Sequence, residues 1–451
     1  MKTLSFPLGP ITLAASVLSM AQGVEAASQK PNFIIIMADD MGYGDIGCFG
    51  NRSIQTPNLD RMAAEGMILT DYHSNGAVST PTRAALLTGR YQQRAGLQGV
   101  LTTAEKNRHG GLQPEEITFA RVMSGNGYRT AIFGKWHVGY QPRYNPIVHG
   151  FDEFTGFLAG NVDYKAFVDS EGRYDWWCRD SVEHVAGYLT DVINRSGADF
   201  IRRTEETPFC LYVAHGCPHS PYQGPDDPPV RTKGVAKTNE VPGKTREAIY
   251  REMIERLDLG IGWIFDALKE RKLDCNTCVI FISDNGPTGP GSAGTLRGNK
   301  GGLFEGGHRV PGILWMPEMV TAGSRCDTPL LGMDIFPTML DMAGIKYDDS
   351  RKPLDGISFY PLLKGENLPS RTLFWRTGNA RAAREDAWKY LEVGTVKAGK
   401  KNVEKFLFNL REELSEQYNL LEQHPDKAEK LREKLDAWEK SVDNEIPEQT
   451  K

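Results

Sequence analysis

The chain has 451 residues, of which 40% are hydrophobic and 25% charged, and its formal net charge at pH 7 is -5. This length is enough for one large α/β domain with a smaller unit appended to it. The absence of a basic surplus argues against a nucleic-acid-binding protein, so any anionic ligand has to be held by local positive groups.

The first residues predict a secretory signal. Met1-Lys2 is followed by an apolar stretch from Ile11 to Met20 and then by Val24-Glu25-Ala26, which is the charged, apolar and small-residue order of a signal peptide. We expect a signal peptide at residues 1–26, cleaved near Ala26, and a secreted or periplasmic protein. The apolar stretch is short for a bilayer, and no later segment is long and apolar enough, so no transmembrane segment is expected.

The chain contains seven cysteines, so at least one stays unpaired if the others form disulfides. Cys275 and Cys278 have the spacing of a redox or metal pair, but no second Cys/His pair lies at zinc spacing. We interpret them as a surface disulfide or two inert thiols.

Four continuous apolar runs predict buried parallel strands, and each run ends in polar residues. The runs are 33–38, 130–133, 209–214 and 279–282. Helical patterns lie between and after them, at 57–67, 83–87, 118–125, 246–269 and 333–343. The sequence therefore predicts an α/β fold with a mainly parallel sheet. Ligands of such sheets bind beyond the carboxyl ends of the strands, so the polar residues there are expected to share one crevice.

A change of composition after residue 347 predicts a second unit. Residues 348–353 read as a charged linker, and beyond them lie short strand candidates at 373–375, 388–391 and 406–408 and a charged helix at 425–442. We place a catalytic domain at 27–347 and a small α+β subdomain at 348–451.

Oxygen donors follow two of the predicted strands. Asp39 and Asp40 come directly after the first strand, and Asp284 and Asn285 after the fourth. Adjacent carboxylates repel each other unless a cation offsets their charge, and ligand sets made only of oxygen favour calcium or magnesium over zinc. Each residue alone is typical of a turn or cap, but their joint occurrence favours a metal site.

The segment Ser79-Thr80-Pro81-Thr82-Arg83 predicts the start of a helix, because proline is favoured in the first turn and good helix formers follow. Ser79 then lies at the positive end of the helix dipole, with Arg83 about one turn further on. Such a position suits an anion, although an ordinary capping motif has the same pattern.

Further cationic groups lie near other strand ends. Lys135 and His137 alternate, so an extended segment places both on one side and Trp136 on the other. Lys300 lies in a glycine-dense segment, Gly298–Gly307, whose backbone can approach a ligand closely, with a flexible turn as the alternative.

These motifs, in this order, resemble those of type I sulfatases of the alkaline phosphatase superfamily. The resemblance spans nearly the whole predicted mature chain and rests on Asp39-Asp40, Gly42-Tyr43-Gly44-Asp45, the signature Ser79–Arg90, Gly134-Lys135-Trp136-His137, His219-Ser220-Pro221, Asp284-Asn285-Gly286, Lys300 with Glu305-Gly306-Gly307, and Leu407-Phe408-Asn409-Leu410. It implies an alkaline-phosphatase-like sheet and a hydrolase of sulfate esters.

The resemblance also implies that Ser79 is converted to formylglycine by a serine-type maturase. It implies a calcium ion, with magnesium the weaker choice, held by Asp39, Asp40, Ser79, Asp284 and Asn285. One hydroxyl of the hydrated aldehyde would attack sulfur, and the other would expel sulfate after losing its proton, a path that a plain serine lacks.

The remaining roles are carried over in the same way. Arg83, Lys135 and Lys300 would offset the negative charge of the sulfate oxygens, and calcium would assist them. His137 would accept the proton of the second hydroxyl and His219 would protonate the leaving oxygen, while His215 is interpreted as a solvated loop residue.

The chain departs from the family pattern in three places. Thr82 stands where serine is commonest, and no further sulfate-contacting side chain is evident near 159–161. Ser79 in place of cysteine implies serine-type maturation, or alternatively an engineered change that leaves the protein inactive.

The expected substrate is a sulfated carbohydrate of the galactose or N-acetylhexosamine type. Export suits such a substrate, and Tyr164, Tyr174, Trp176 and Trp177 suit either sugar stacking or core packing. The alternatives are a phosphate mono- or diester hydrolase of the same superfamily, and a silent binder of sulfated glycans in which Ser79 stays unmodified.

Overall fold

The computed structural model describes residue 1 and residues 30–105, 108–397 and 400–447. The predicted signal peptide and its cleavage site therefore lie outside the described residues, apart from Met1. In the part of the chain that is described, no helix is both long and apolar enough to cross a membrane.

The strands, numbered in chain order, are β1 (Asn32–Ala38), β2 (Met67–Leu69), β3 (Tyr72–His73), β4 (Arg129–Lys135), β5 (Glu153–Phe157), β6 (Trp177–Cys178), β7 (Ser181–Val182), β8 (Phe209–Ala214), β9 (Arg231–Thr232), β10 (Val235–Thr238), β11 (Thr277–Ser283), β12 (Gly312–Trp315), β13 (Ser324–Cys326), β14 (Leu330–Leu331), β15 (Thr372–Arg376), β16 (Ala380–Glu385), β17 (Trp388–Lys397) and β18 (Lys400–Asn409). The α-helices are α1 (Pro57–Glu65), α2 (Ser79–Thr88), α3 (Phe119–Gly125), α4 (Leu189–Arg202), α5 (Arg246–Glu270), α6 (Glu305–His308), α7 (Ile335–Met342), α8 (Tyr360–Leu363) and α9 (Pro425–Asp443).

A ten-stranded sheet in the order β13-β2-β12-β11-β1-β8-β4-β5-β6-β7 forms the centre of the molecule. Its middle strands β11, β1, β8, β4 and β5 run parallel, whereas β12 pairs antiparallel with β11. Helices flank the sheet in two groups, α1 and α4 contacting α5, and α3 and α7 contacting α2. The predicted α/β class and mainly parallel sheet are confirmed.

The middle strands are buried over their whole length, which explains their continuous apolar sequences. Every residue of β1, β8 and β11 is buried. Strands that are covered on both faces need apolar side chains on both faces, so apolar and polar residues do not alternate along them. Burial of this apolar surface is the main stabilising contribution to the domain.

A second sheet, of antiparallel strands in the order β15-β16-β17-β18, lies at the C-terminal end and is covered by α9. Its core is continuous with residues of the main part, including Ala85 of α2 and Leu303. Trp375 of β15 donates its indole N–H to the carbonyl oxygen of Ser74 at 2.9 Å. Phe359, in contrast, belongs to the core of the main sheet. The boundary at 347/348 stays a prediction.

Several predicted elements differ in detail. The first helix ends at Glu65 rather than Met67, because Gly66 breaks it and Met67 begins β2. Strand β16 was not predicted, since its Ala-Arg-Ala-Ala-Arg-Glu sequence has low strand propensity. All seven cysteines are free, so Cys275 and Cys278 are thiols rather than a disulfide.

Candidate active site

The polar residues after the middle strands converge at one edge of the sheet. Ala38 at the end of β1 pairs in register with Ser283 at the end of β11, and Gly134 in β4 pairs with Ala214 at the end of β8. Because these strands are parallel neighbours, the residues that follow them meet at their common carboxyl edge. The four strand ends predicted from sequence thus form one site.

Ser79 is the first residue of α2 and lies at the centre of this edge. It is 2% exposed, and its hydroxyl lies 3.2 Å from both the Asp39 carboxylate oxygen Oδ1 and the Lys135 ammonium nitrogen. Val78 precedes the helix and supplies no side-chain cap. Ser79 therefore does not act as an ordinary capping residue, and its hydroxyl points into the polar cluster.

Three carboxylates of the site are each paired with a cation. Lys135 Nζ lies 2.7 Å from Asp39 Oδ2, and Arg83 donates to Asp284 Oδ2 at 2.9 Å. Lys300 Nζ donates to Asp40 Oδ1 at 2.6 Å, so the glycine-dense segment does bring its lysine to the strand ends.

Two oxygen atoms of the site are buried without a hydrogen-bond partner. They are Oδ2 of Asp40 and Oδ1 of Asn285, whose side-chain NH2 donates to Asp40 Oδ1 at 2.7 Å. Buried polar atoms are normally satisfied, so unpartnered oxygens among carboxylates indicate room for a cation. Atoms of Asp39, Asp40 and His219 also lie close enough together to hold a metal ion. The donor set fits a hard divalent cation.

Burial and neighbouring charges shift the pKa values of these groups. Burial raises the pKa of Asp39 to about 6, although Lys135 opposes the shift. Burial likewise lowers the pKa of Lys135, against the pull of Asp39. For Asp284 the effect of burial is outweighed by Arg83 and Lys135, which hold its pKa far below the ordinary range. Perturbed groups of opposite sign clustered in a cleft are typical of a functional site.

His137 follows β4 and lines a cavity with Ser79. Its Nε2 lies 2.8 Å from the carbonyl oxygen of Leu101, which can only accept, so Nε2 carries the proton. Nδ1 is buried and has no partner, and burial together with Lys135 lowers the pKa of the ring well below its ordinary value. His137 is therefore a neutral imidazole with a free lone pair. The adjacent Trp136 is buried and donates to Tyr144.

The two histidines after β8 occupy different environments. His219 is 15% exposed in its side chain, its Nδ1 lies 2.6 Å from the Ser220 carbonyl oxygen, and its Nε2 lies 3.5 Å from Asp40 Oδ2. His215 is fully buried, both its ring nitrogens lack partners, and burial lowers its pKa to about 3. The interpretation of His215 as a solvated loop residue was wrong, because residues 215–218, which follow the strand, are all buried.

Two cavities open beside the site and share His219 and Lys300 in their walls. The small cavity, of about 190 Å³, also contains Ser79 and His137, and the large one, of about 670 Å³, contains Asp40. The reaction centre suggested by the sequence thus lies where the two cavities meet.

The structure adds residues that sequence reasoning missed. Arg83 donates to the hydroxyl of Tyr212, a residue inside a buried strand that offered no sequence signal. In the segment 159–161, where the sequence showed no evident sulfate-contacting side chain, Gly160 and Asn161 line the small cavity, and a side-chain carbon at Gly160 would lie 2.7 Å from His137 Nε2. Of the aromatic candidates for sugar stacking, Tyr164 and Trp176 are buried in the core.

The fold and the site define an α/β protein with a polar crevice, lined by paired carboxylates and cations, at the carboxyl edge of the sheet. The Sulfatase family model matches residues 31–345. N-acetylgalactosamine-6-sulfatase of Sus scrofa is 34% identical over 395 residues, which cover 81% of this chain and 72% of that protein. Steryl-sulfatase of Homo sapiens is 30% identical over 432 residues, covering 76% of this chain and 71% of that protein.

A solved structure, Ps i-CgsB in complex with k-i-k-neocarrahexaose, superposes with a TM-score of 0.81 at 29% identity and covers 93% of this chain and 94% of that one. The chain belongs to the sulfatase family and is a sulfuric ester hydrolase. The resemblance drawn from the sequence motifs is confirmed at the level of family and fold.

Proposed function

We propose that the protein hydrolyses sulfate esters on a sulfated carbohydrate of the galactose or N-acetylhexosamine type. Relatives support this substrate class, since N-acetylgalactosamine-6-sulfatase is 34% identical. The structure of Ps i-CgsB, at 29% identity, holds a neocarrahexaose. The observation that carries the proposal is the position of Ser79 between Asp39 and Lys135 at the meeting point of the four strand ends.

Ser79 is proposed to be converted to formylglycine by a serine-type maturase. The hydrated aldehyde supplies a nucleophilic hydroxyl and a second hydroxyl for release of sulfate. Ser79 is buried at a helix N-terminus, which keeps the attacking group oriented. The helix dipole and the neighbouring Lys135 favour negative charge on the sulfate oxygens. The protein itself would be secreted or periplasmic.

Asp39, Asp40, Asp284, Asn285 and the modified Ser79 are proposed to hold calcium, with magnesium the weaker candidate. The unpartnered oxygens of Asp40 and Asn285 support this set. When bound, the ion adds positive charge next to the sulfate oxygens. Oxygen donors rather than imidazole are the ligands that calcium prefers, so His219 is assigned another role.

The cations of the site are proposed to bind the sulfate group. Arg83 keeps its charge, because neighbouring groups that include the Asp284 and Asp39 carboxylates outweigh burial and raise its pKa. Asp40, Asp39 and Asp284 likewise outweigh burial and raise the pKa of Lys300. Fixed charges such as these, with Lys135 beside Ser79, stabilise negative charge that develops on the sulfate oxygens.

The two histidines are proposed to move protons. His137 has a free Nδ1 lone pair and is neutral, which suits it to accept a proton beside Ser79. His219 lines both cavities, with its Nδ1 2.6 Å from the Ser220 carbonyl oxygen and its Nε2 3.5 Å from Asp40 Oδ2. His219 would therefore protonate the leaving oxygen.

Intact-mass and peptide mass spectrometry after co-expression with a serine-type maturase tests the proposal, because formylglycine is lighter than serine by two hydrogens. We expect the Ser79 peptide to show this loss, and sulfate release from a 6-sulfated galactose or N-acetylgalactosamine to follow it. The variant Ser79→Ala is the control and should release none. Converted protein that turns over phosphate esters in preference to sulfate esters at matched concentration would contradict the proposal.

A further inference from the structure

The large cavity beside the reaction centre extends well beyond the groups needed for sulfate chemistry. It reaches from His219 and Lys300 past Tyr222 to Thr238–Val241 and to the start of α5 at Arg246. Its volume of about 670 Å³ lies within the range of about 300–1,000 Å³ that is usual for ligand pockets. A sulfate group alone leaves most of it unfilled.

The direction of the reaction fixes what enters this cavity. In an in-line displacement at sulfur the bond to the leaving oxygen points away from the attacking group. Of these two cavities Ser79 lines the small one, whereas His219, the proposed acid for the leaving oxygen, lines both. The alcohol part of the ester therefore extends from His219 into the large cavity.

Tyr222 offers a fixed aromatic face on this path. Its ring packs edge-on against Tyr250, with ring centroids 6.0 Å apart. Its hydroxyl lies only 2.2 Å from the position that a side-chain carbon at Gly289 would take, so a larger residue at position 289 would displace the Tyr222 side chain. A partly exposed aromatic ring that lines the same cavity as His219 is suited to stacking on a pyranose.

Two cationic side chains lie at the end of the large cavity far from His219, and only one of these two is available to a ligand. Lys244 is held by two carboxylates, at 2.8 Å from Asp227 and 2.7 Å from Glu252. Arg246 is 66% exposed and has one ion-pair partner, Glu240, which is itself 80% exposed. Exposed pairs of this kind are weak and exchange readily for another anion. Arg246 is therefore the residue that can bind an acidic group.

We propose that the large cavity binds the saccharide that forms the alcohol part of the ester. A sugar ring stacks on Tyr222, and an acidic group of the neighbouring sugar binds Arg246. The substrate is then an oligosaccharide that carries a second anionic group, a carboxylate or a sulfate, next to the sugar that loses sulfate. This inference rests on the proposed function, because it takes Ser79 as the source of the attacking hydroxyl and His219 as the acid that protonates the leaving oxygen.

Binding to the Ser79→Ala protein tests the inference without requiring turnover. The ligands are one sulfated sugar linked to a neutral sugar, to a uronic acid or to a second sulfated sugar, each titrated by calorimetry. We expect both acidic disaccharides to bind about tenfold more tightly than the neutral one, as a charge-assisted contact would give. Arg246→Gln should abolish this difference, and Tyr222→Ala should weaken all three ligands.

Arg251→Gln is the matched control, since Arg251 is exposed on the same helix but does not line the cavity. Equal affinity for all three disaccharides, or a preference that Arg246→Gln leaves intact, would overturn the inference. A preference for only one acidic disaccharide upholds it and identifies the acidic group. Acidic disaccharides that bind through Arg246 but are not hydrolysed by converted protein would uphold it while contradicting the proposed function.

Discussion

Lys389 in the antiparallel C-terminal sheet places its ammonium nitrogen 2.8 Å from Glu305, at the end of the glycine-dense segment that carries Lys300. The same nitrogen lies 2.9 Å from Glu416, whose other oxygen accepts the backbone N–H of Glu305 at 2.6 Å. The side chains of these three residues are fully buried. The C-terminal unit thus fixes the end of a segment that reaches the candidate active site.

Replacing Lys389 by methionine should destabilise the protein strongly. The change leaves two carboxylates buried without their shared cation, which typically costs about 3–5 kcal/mol of unfolding free energy. Urea unfolding followed by tryptophan fluorescence measures the loss. Lys434→Met, which removes an exposed pair with Glu385, is the control and should cost less than about 1 kcal/mol. Similar losses in the two variants would contradict the assigned role of Lys389.

Glu416 should give the protein a specific dependence of stability on pH. Burial and the charge of Glu305 raise the pKa of Glu416 to about 7, above its ordinary value of 4.5, although Lys389 opposes the shift. The folded state therefore holds this proton more tightly than the unfolded chain. The stabilisation from this group is complete below pH 4.5 and is lost as the pH rises through 7.

Glu416→Gln cannot ionise, so its stability relative to the wild type should improve between pH 5 and about pH 7 and level off at higher pH. Urea unfolding at each pH unit measures this difference, and comparison with the wild type cancels the contributions of other titrating groups. Glu422→Gln, at an exposed position, should show a constant difference. A constant difference for Glu416→Gln as well would count against the raised pKa.

Gly286 is predicted to be irreplaceable by alanine. A side-chain carbon there would lie 1.8 Å from the carbonyl oxygen of Gly306, so Asn285 and the glycine-dense segment that carries Lys300 would be pushed apart. We expect a loss of about 1–3 kcal/mol in stability, as for other overpacked sites, and a lower kcat. At Gly125 the same substitution meets no atom within 4 Å and should leave kcat unchanged. An active, stable Gly286→Ala enzyme would show that this close approach is unimportant.

Removal of divalent cations should lower both activity and the melting temperature. Without an ion, the oxygens of Asp40 and Asn285 stay unpartnered in a buried site. Calcium at a hundred times its dissociation constant should restore about 2.7 kcal/mol of stability to chelator-treated protein. Differential scanning calorimetry with calcium and with magnesium measures the effect. Asn285→Ala should weaken the response, whereas Asn402→Ala, at an exposed position in β18, should keep it.

The sequence by itself determined the elements whose signal is local. Strands β1, β8 and β11 are apolar at every position because both of their faces are covered, and the polar residues that follow them mark the edge where a ligand binds. The start of α2 at Ser79 followed from Pro81 and the helix formers after it. The order of these motifs along the chain was enough to indicate the family.

Only the tertiary structure decided how these pieces are arranged. Strand order, the antiparallel direction of β12 and the pairing of Lys300 with Asp40 depend on contacts between residues far apart in sequence. The burial of His215 could not be predicted either, because a histidine after a strand has the same sequence signal whether it faces solvent or the core. Lys389 gave no signal at all, since a lysine in an amphipathic strand is usually solvated. Its burial is fixed by the packing of the second sheet against the segment that carries Glu305.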